Sequence, residues 1–226
     1  MRILFLILVT LGSFLQGYAQ EGSSFYFTQA QPSNAKALQQ FPDELLGDYR
    51  SKKDTLLTMM IRKDSIRMRL ITPVVIARSE LMAQNNWHLR DNLLYGVYPD
   101  RPVEVVMKND TLIFGLEFEQ TVFRFCDSMV LKGKDKQFFF STRSGKGKWT
   151  VYLLELKKEN EQYSIIWSAV DHETEQNELL IKNSPGYTRK TINGSTIYLL
   201  NLNEIQMQTF VSGGGFNVPE YYHRVK

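Results

Sequence analysis

The chain is poor in the residues that build reactive centres. Of its 226 residues, one is cysteine and three are histidine. With Cys126 alone, no internal disulfide is available, so stability has to come from burial and hydrogen bonding. Zinc sites pair Cys and His at close spacing. His88, His172 and His223 lie far apart in sequence, and no metal site is expected. There is no Gly-x-Ser-x-Gly nucleophile turn and no glycine loop ending in Lys-Ser/Thr. Neither sign of charge dominates: the formal net charge is +3, which by itself implies no polyanionic partner, so nucleic acid is not expected. No segment beyond the N-terminus approaches the ~20 apolar residues of a membrane span, and no fixed-period repeat occurs. No catalytic residue and no cofactor is therefore assigned from sequence.

What is present first is an export signal. Met1-Arg2 is followed by an almost wholly apolar Ile3–Leu11, and Gly17-Tyr18-Ala19 places small residues at −3 and −1. Residues 1–19 thus read as a signal peptide cut before Gln20. No cysteine follows the cut, so the mature chain is expected free of a lipid anchor, in the periplasm or outside the cell. Residues 20–44 are polar and read as a linker, with a short helix over 33–40. A single β-rich domain is expected over 45–226. A hydrophobic content of 43% and an aromatic content of 12% support a packed core and argue against disorder.

The period along the domain is two. Ile66, Met68 and Leu70 alternate with Arg67 and Arg69; Leu112, Phe114, Leu116 and Phe118 share a face; so do Tyr163, Ile165, Trp167 and Ala169. One apolar face per strand is what an antiparallel sheet over a core requires. Phe138–Phe140 and Trp149–Leu156 are apolar on both faces and read as central or covered strands. Lys63-Asp64, Asn109-Asp110, Ser144–Gly147 and Asn193-Gly194 punctuate the pattern as hairpin turns. A short helix is expected over 203–211, capped by Asn203 and stopped at Gly213. Residues 216–225 return as a closing strand, with Pro219 marking an edge or bulge. The fold class is mostly β: an antiparallel meander forming a barrel or two-layer sandwich, with a short C-terminal helix.

Several clusters have a chemical and a plainer reading. Asp171-His172-Glu173 with Glu175 could hold a cation, or be a solvated loop. Ser212–Gly215 could be an anion nest, or a flexible connection. Glu117, Glu119 and Glu155 point outward in this register and read as exposed sheet face. Lys132, Lys134, Lys136, Arg143, Lys146 and Lys148, near Phe138–Phe140 and Trp149, could suit a sulfated glycan, or keep hairpin turns soluble. Cys126 reads as a small buried hydrophobe, with a reactive thiol or an intermolecular bridge as the alternative. Asn109-Asp110-Thr111 and Asn193-Gly194-Ser195 match the glycosylation pattern and equally read as turns.

Leu45-Leu46-Gly47-Asp48-Tyr49-Arg50-Ser51, entering a run of strands, resembles the opening of lipocalin-like exported proteins, where a Gly-x-aromatic element starts the first barrel strand. Tyr49 stands where many members carry Trp. The resemblance implies a barrel with an apolar interior and a small apolar ligand. Phe114, Phe123, Tyr152 and Trp167 are the residues expected to line such a pocket; as alternating aromatics they also suit plain core packing. Three functions remain open: an exported, non-enzymatic binding or interaction domain of unknown specificity, its partner a small apolar ligand or an envelope component; a lipocalin-like carrier of a small apolar ligand; and a cell-envelope hydrolase.

Overall fold

A computed structural model describes residues 24–81, 86–134, 136–159, 162–192 and 195–225. The expected signal peptide and the Asn193-Gly194 turn lie outside them. The chain runs through β1 (Ser24–Phe27), β2 (Ala37–Leu38), β3 (Gly47–Ser51), β4 (Leu57–Ile61), β5 (Ser65–Ala77), α1 (Arg78–Leu81), β6 (His88–Arg90), β7 (Leu93–Tyr95), β8 (Val103–Glu104), β9 (Val106–Lys108) and β10 (Thr111–Arg124). It continues through β11 (Met129–Lys134), β12 (Gln137–Gly145), β13 (Lys148–Glu159), β14 (Gln162–Ala169), α2 (Glu175–Asn183), β15 (Thr188–Ile192), β16 (Ser195–Leu200), α3 (Glu204–Ser212) and β17 (Val218–Arg224).

The molecule is mostly β, as its period-two pattern requires. Nine strands form a curled antiparallel meander in the order β11-β12-β13-β14-β17-β3-β4-β5-β10. The first meander strand meets the last: Tyr49, Arg50 and Ser51 pair with Arg224, His223 and Tyr222. All nine strands send side chains into one core that includes Tyr49, Met59, Ile61, Ile66, Phe123, Leu131, Phe140, Leu154, Ile165 and Tyr222. The ring stays open at one seam, between β10 and β11, so the sandwich-like alternative holds and the barrel does not close. The seam has a local cause. The outer edge of β11 is taken by Ala37 and Leu38 of β2, and β10 begins against β9. Residues 125–128 join the two strands through a tight turn bridged at Cys126 and Met129.

The meander carries a second layer. Phe138 and Phe140 face the central core, while Phe139, Val151 and Leu153 face the opposite way, onto β1, β16, α2 and α3. This is the two-faced burial that the Phe138–Phe140 and Trp149–Leu156 runs announce. Residues 24–44 are not a free linker, and 33–40 is not a helix. β1 lies parallel to β16 and meets β13 at Phe27–Trp149. Phe27, Ala30, Gln31, Phe41 and Leu45 are all buried. Residues 28–41 form a strap across the sheet.

The helix after Asn203 has its expected cap: Asn203 Oδ1 accepts from Gln206 N–H at 2.9 Å, and Gln206 Oε1 accepts from Asn203 N–H at 2.9 Å. Met207 and Phe210 are buried while Ile205 is 79% exposed, which resolves the uneven apolar spacing of this helix. The closing strand β17 sits between β14 and β3. Pro219 lies where β14 alone is its neighbour, so its missing N–H breaks no ladder.

β5 and β10 run on past the meander as a long hairpin arm. The small sheet β6-β7-β8 packs on it through Leu94, Ile76, Leu112 and Phe114. A bulge between Thr121 and Phe123 shifts the register so that Phe123 stands beside Ile66 and enters the central core, while Leu112 and Phe114, further along the strand, serve the arm.

The meeting of β3 and β17 is locked by a packed cation. The Arg224 guanidinium lies 5.8 Å from the Tyr49 ring and 5.3 Å from the Tyr163 ring, and it donates to Leu46 O. Gly47 makes room for it: a Cβ there would stand 2.7 Å from Arg224 Nε. Tyr49 donates to Leu45 O at 3.0 Å. Burial pushes the Tyr49 phenol from 10.0 up to about 12, against a lowering pull from Arg224. Burial, then the hydrogen bond to Glu220, also raises Tyr222. A folded-state value above the unfolded one means stability is complete below pH 10 and is lost as pH rises toward 12. The urea midpoint is therefore expected to fall between pH 10 and 12. In Tyr49→Phe it should start lower, by about 1 kcal/mol for the lost bond, and fall less steeply. Equal steepness would show that Tyr49 carries none of the alkaline loss.

Candidate functional site

The four aromatics expected to line a pocket do not form one group. Phe123, Tyr152 and Trp167 share the central core through Phe140, which lies 5.7 Å from Phe123, 4.7 Å from Tyr152 and 4.3 Å from Trp167. Phe41 closes the set at 5.5 Å from Phe123. Burial pushes the Tyr152 phenol up. Phe114 belongs to the arm, under the Trp87 ring at 5.9 Å. Rings at these separations are in direct contact and fill the space between the strands.

Open space occurs outside, beside the strap. A groove of about 790 Å³ has Val130, Arg143 and Trp149 as its floor. Gln29 and Ala30 form one wall, Ala37–Gln39 of the strap the other, and Phe125–Asp127 its end. The strap is fixed from below. Gln31 is fully buried; its Oε1 accepts from Leu202 N–H at 3.1 Å, and its Nε2 donates to Gln29 O at 3.1 Å. Its backbone N–H donates to Ser141 Oγ at 3.1 Å. Lys132 donates to Ala30 O and Pro32 O at 3.0 and 2.9 Å, and burial holds its ammonium below the usual range. Arg143 lies over the Trp149 indole at 4.8 Å and shields it from solvent.

Cys126 is not the buried hydrophobe expected; it is exposed at the end of this groove. The bulge and the turn after β10 carry it out of the core. Its Sγ lies 3.2 Å from Ser128 Oγ, and hydrogen bonding to the Ser128 side chain and backbone holds the thiol below its usual value. One equivalent of a thiol reagent is expected to react with the native protein, more slowly after Ser128→Ala. Cys126→Ser should change stability by less than about 0.5 kcal/mol. Reaction only after denaturation would place the thiol inside.

The remaining candidates are taken up structurally. Asp171 opens α2: its Oδ1 accepts from Glu173 N–H at 3.0 Å and its carbonyl from Asn177 Nδ2 at 2.9 Å. His172 stacks on Phe25 at 6.1 Å. Among the described residues, no three His, Cys, Asp or Glu side chains are grouped to hold a metal ion. The Ser212–Gly215 run is not a loose connection. Gly213 ends α3, and Gly215 is buried so close to Phe210 that a Cβ would stand 2.2 Å from the ring. Glu117 pairs with Arg101 at 2.6 Å, Glu119 with Arg67 at 3.0 Å, and Glu155 accepts from Gln137 at 3.1 Å. In the basic stretch, Lys132 is spent on the strap and Lys148 lies 5.3 Å from the Tyr26 ring, while Phe138–Phe140 are buried.

Sequence reasoning did not find Gln31, the strap or α2. The available signals were weak: Thr174 before α2 and Ser184-Pro185-Gly186 after it. No helix among the described residues is long and apolar enough to cross a membrane. In comparisons with known proteins, no family model, no curated sequence and no solved structure matches this chain.

Proposed function

We propose that the chain is an exported, non-enzymatic binding domain that recognises its partner on its outside, in the groove beside the strap. The observation that carries this reading is the aromatic filling of the meander around Phe140, set against an open groove of about 790 Å³. Half-apolar walls and the Arg143 guanidinium suit a ligand with an apolar body and an acceptor group. A second reading, a lipocalin-like carrier of a small apolar ligand, is supported by one feature. The Gly47-Asp48-Tyr49 element stands where the first and last meander strands meet.

Native mass spectrometry of protein recovered from its exporting host tests both. The expected result is a retained adduct that disappears in Gln39→Trp, which fills the groove, and survives in Phe123→Leu, in the interior. An apolar adduct with the reverse pattern supports the carrier and contradicts the groove. A bare mass in every case counts against a small ligand at either place.

A further inference from the structure

The outer face of β3, β4 and β5 has an unusual construction. β4 is buried on both sides. Inward, Met59 and Ile61 are fully buried; outward, Thr58 and Met60 are each only 6% exposed. The register shows what lies beside them. Thr58 stands between Arg50 and Arg69, and Met60 stands between Asp48 and Arg67. The stems of Arg67 and Arg69, on the neighbouring β5, help to keep water from β4. In keeping with this, Arg67 Nε and Arg69 Nε are shielded from solvent and have no hydrogen-bond partner among the described residues.

The charges on this face do not balance. Its acids are engaged: Asp48 with Arg62 at 2.7 Å, Glu119 with Arg67 at 3.0 Å, and Glu117 with Arg101 at 2.6 Å. Arg50 and Arg69 are left with no ionic or hydrogen-bonding partner among the described residues. Lys52 stands 5.9 Å from the ring of Tyr221, which is 47% exposed. A shallow groove of about 250 Å³, lined in part by Lys52, Lys157, Ser164 and Tyr221, continues the strip onto β14.

We propose that this face binds a sulfated glycan chain, with Arg50 and Arg69 converging on one sulfate above Thr58 and with Lys52 and Tyr221 meeting the neighbouring sugar. Two strands apart, the Arg50 and Arg69 Cα atoms are about 10 Å from each other, a span that two side chains of this length close over one group. Guanidinium forks match oxyanion geometry and remain charged at any working pH. The Arg69 stem, its Nε already shielded from solvent, loses little further freedom on binding. A face continuous over several strands suits an extended polymer. One exposed ring with hydroxyls around it suits a sugar, whereas single-stranded nucleic acid needs successive stacking platforms. The inference is independent of the strap groove and stands whether or not that groove is occupied.

The test is calorimetric titration of the full mature chain with a size-defined, heparin-derived oligosaccharide. Arg50→Gln/Arg69→Gln is compared with Lys146→Gln/Lys190→Gln, a pair that removes the same charge from exposed positions elsewhere, one in the turn before β13 and one on β15. Circular dichroism melts confirm that both fold. The wild type is expected to bind the sulfated chain and not its desulfated form. The arginine variant should lose about tenfold or more in affinity, and the lysine variant less than about twofold. Equal weakening by both pairs, equal binding of the desulfated chain, or no binding by the wild type overturns the proposal. So does polyphosphate of matched charge binding as tightly, which would make the face a general polyanion surface.

Discussion

Phe140→Ala is expected to destabilise the protein by about 3–5 kcal/mol, the largest effect of any single truncation in the meander. Phe140 touches Phe123, Tyr152 and Trp167 at once, and its neighbours come from three different strands. β12, β13 and β14 are each held in a ladder on both edges and cannot close in on the space, so the cavity term adds to the lost transfer energy. For a chain of this size each kcal/mol moves the melting temperature by about 2–4 °C. A loss on the order of 6–20 °C is therefore the expected calorimetric result. Phe114→Ala, on β10, offers a contrast. Its cluster holds the arm, so its effect on hydrogen exchange should concentrate at β6–β8 and leave β12 and β13 protected.

The second large effect belongs to a polar residue. Gln31→Leu keeps the volume but leaves Leu202 N–H and Gln29 O without their partners beside a fully buried side chain. Each orphaned group costs about 1–3 kcal/mol, so a loss of about 2–6 kcal/mol in urea unfolding is expected. The loss should appear with faster exchange at Phe25–Phe27, because Gln31 ties the strap to the segment after β16. Unchanged exchange there would mean that β1 is held by its strand pairing alone.

These two residues also mark how far the sequence could be read. The meander was legible because its strands obey a period of two: Ile66 and Met68 go in, Arg67 and Arg69 go out. Phe138–Phe140 was legible as a strand covered on both faces, and α3 as a helix with an Asn cap and a Gly stop. The strap was not legible, since residues 24–44 look polar and their buried groups are isolated. Phe27, Gln31 and Phe41 follow no short period, and a glutamine becomes a core residue only when distant groups, here Leu202 and Ser141, supply its partners. Phe123 reaches the central core only because one extra residue between Thr121 and Phe123 brings it onto the Ile66 side, which no alternation reveals. The same bulge and turn expose Cys126. The arginine face was visible as alternation, but its unpaired charge became readable only once the register placed Arg50 beside Thr58 and Arg69.

The central claim is that the inside of the meander is filled and that recognition happens on the outside. Titration of residues 20–226 with an uncharged, apolar naphthylamine dye, after solvent extraction of any bound small molecule, tests it most directly. The account predicts no saturable rise in fluorescence. A saturable one-to-one signal that Phe123→Trp abolishes while Gln39→Trp leaves it intact would contradict it, by locating a ligand cavity among the core aromatics.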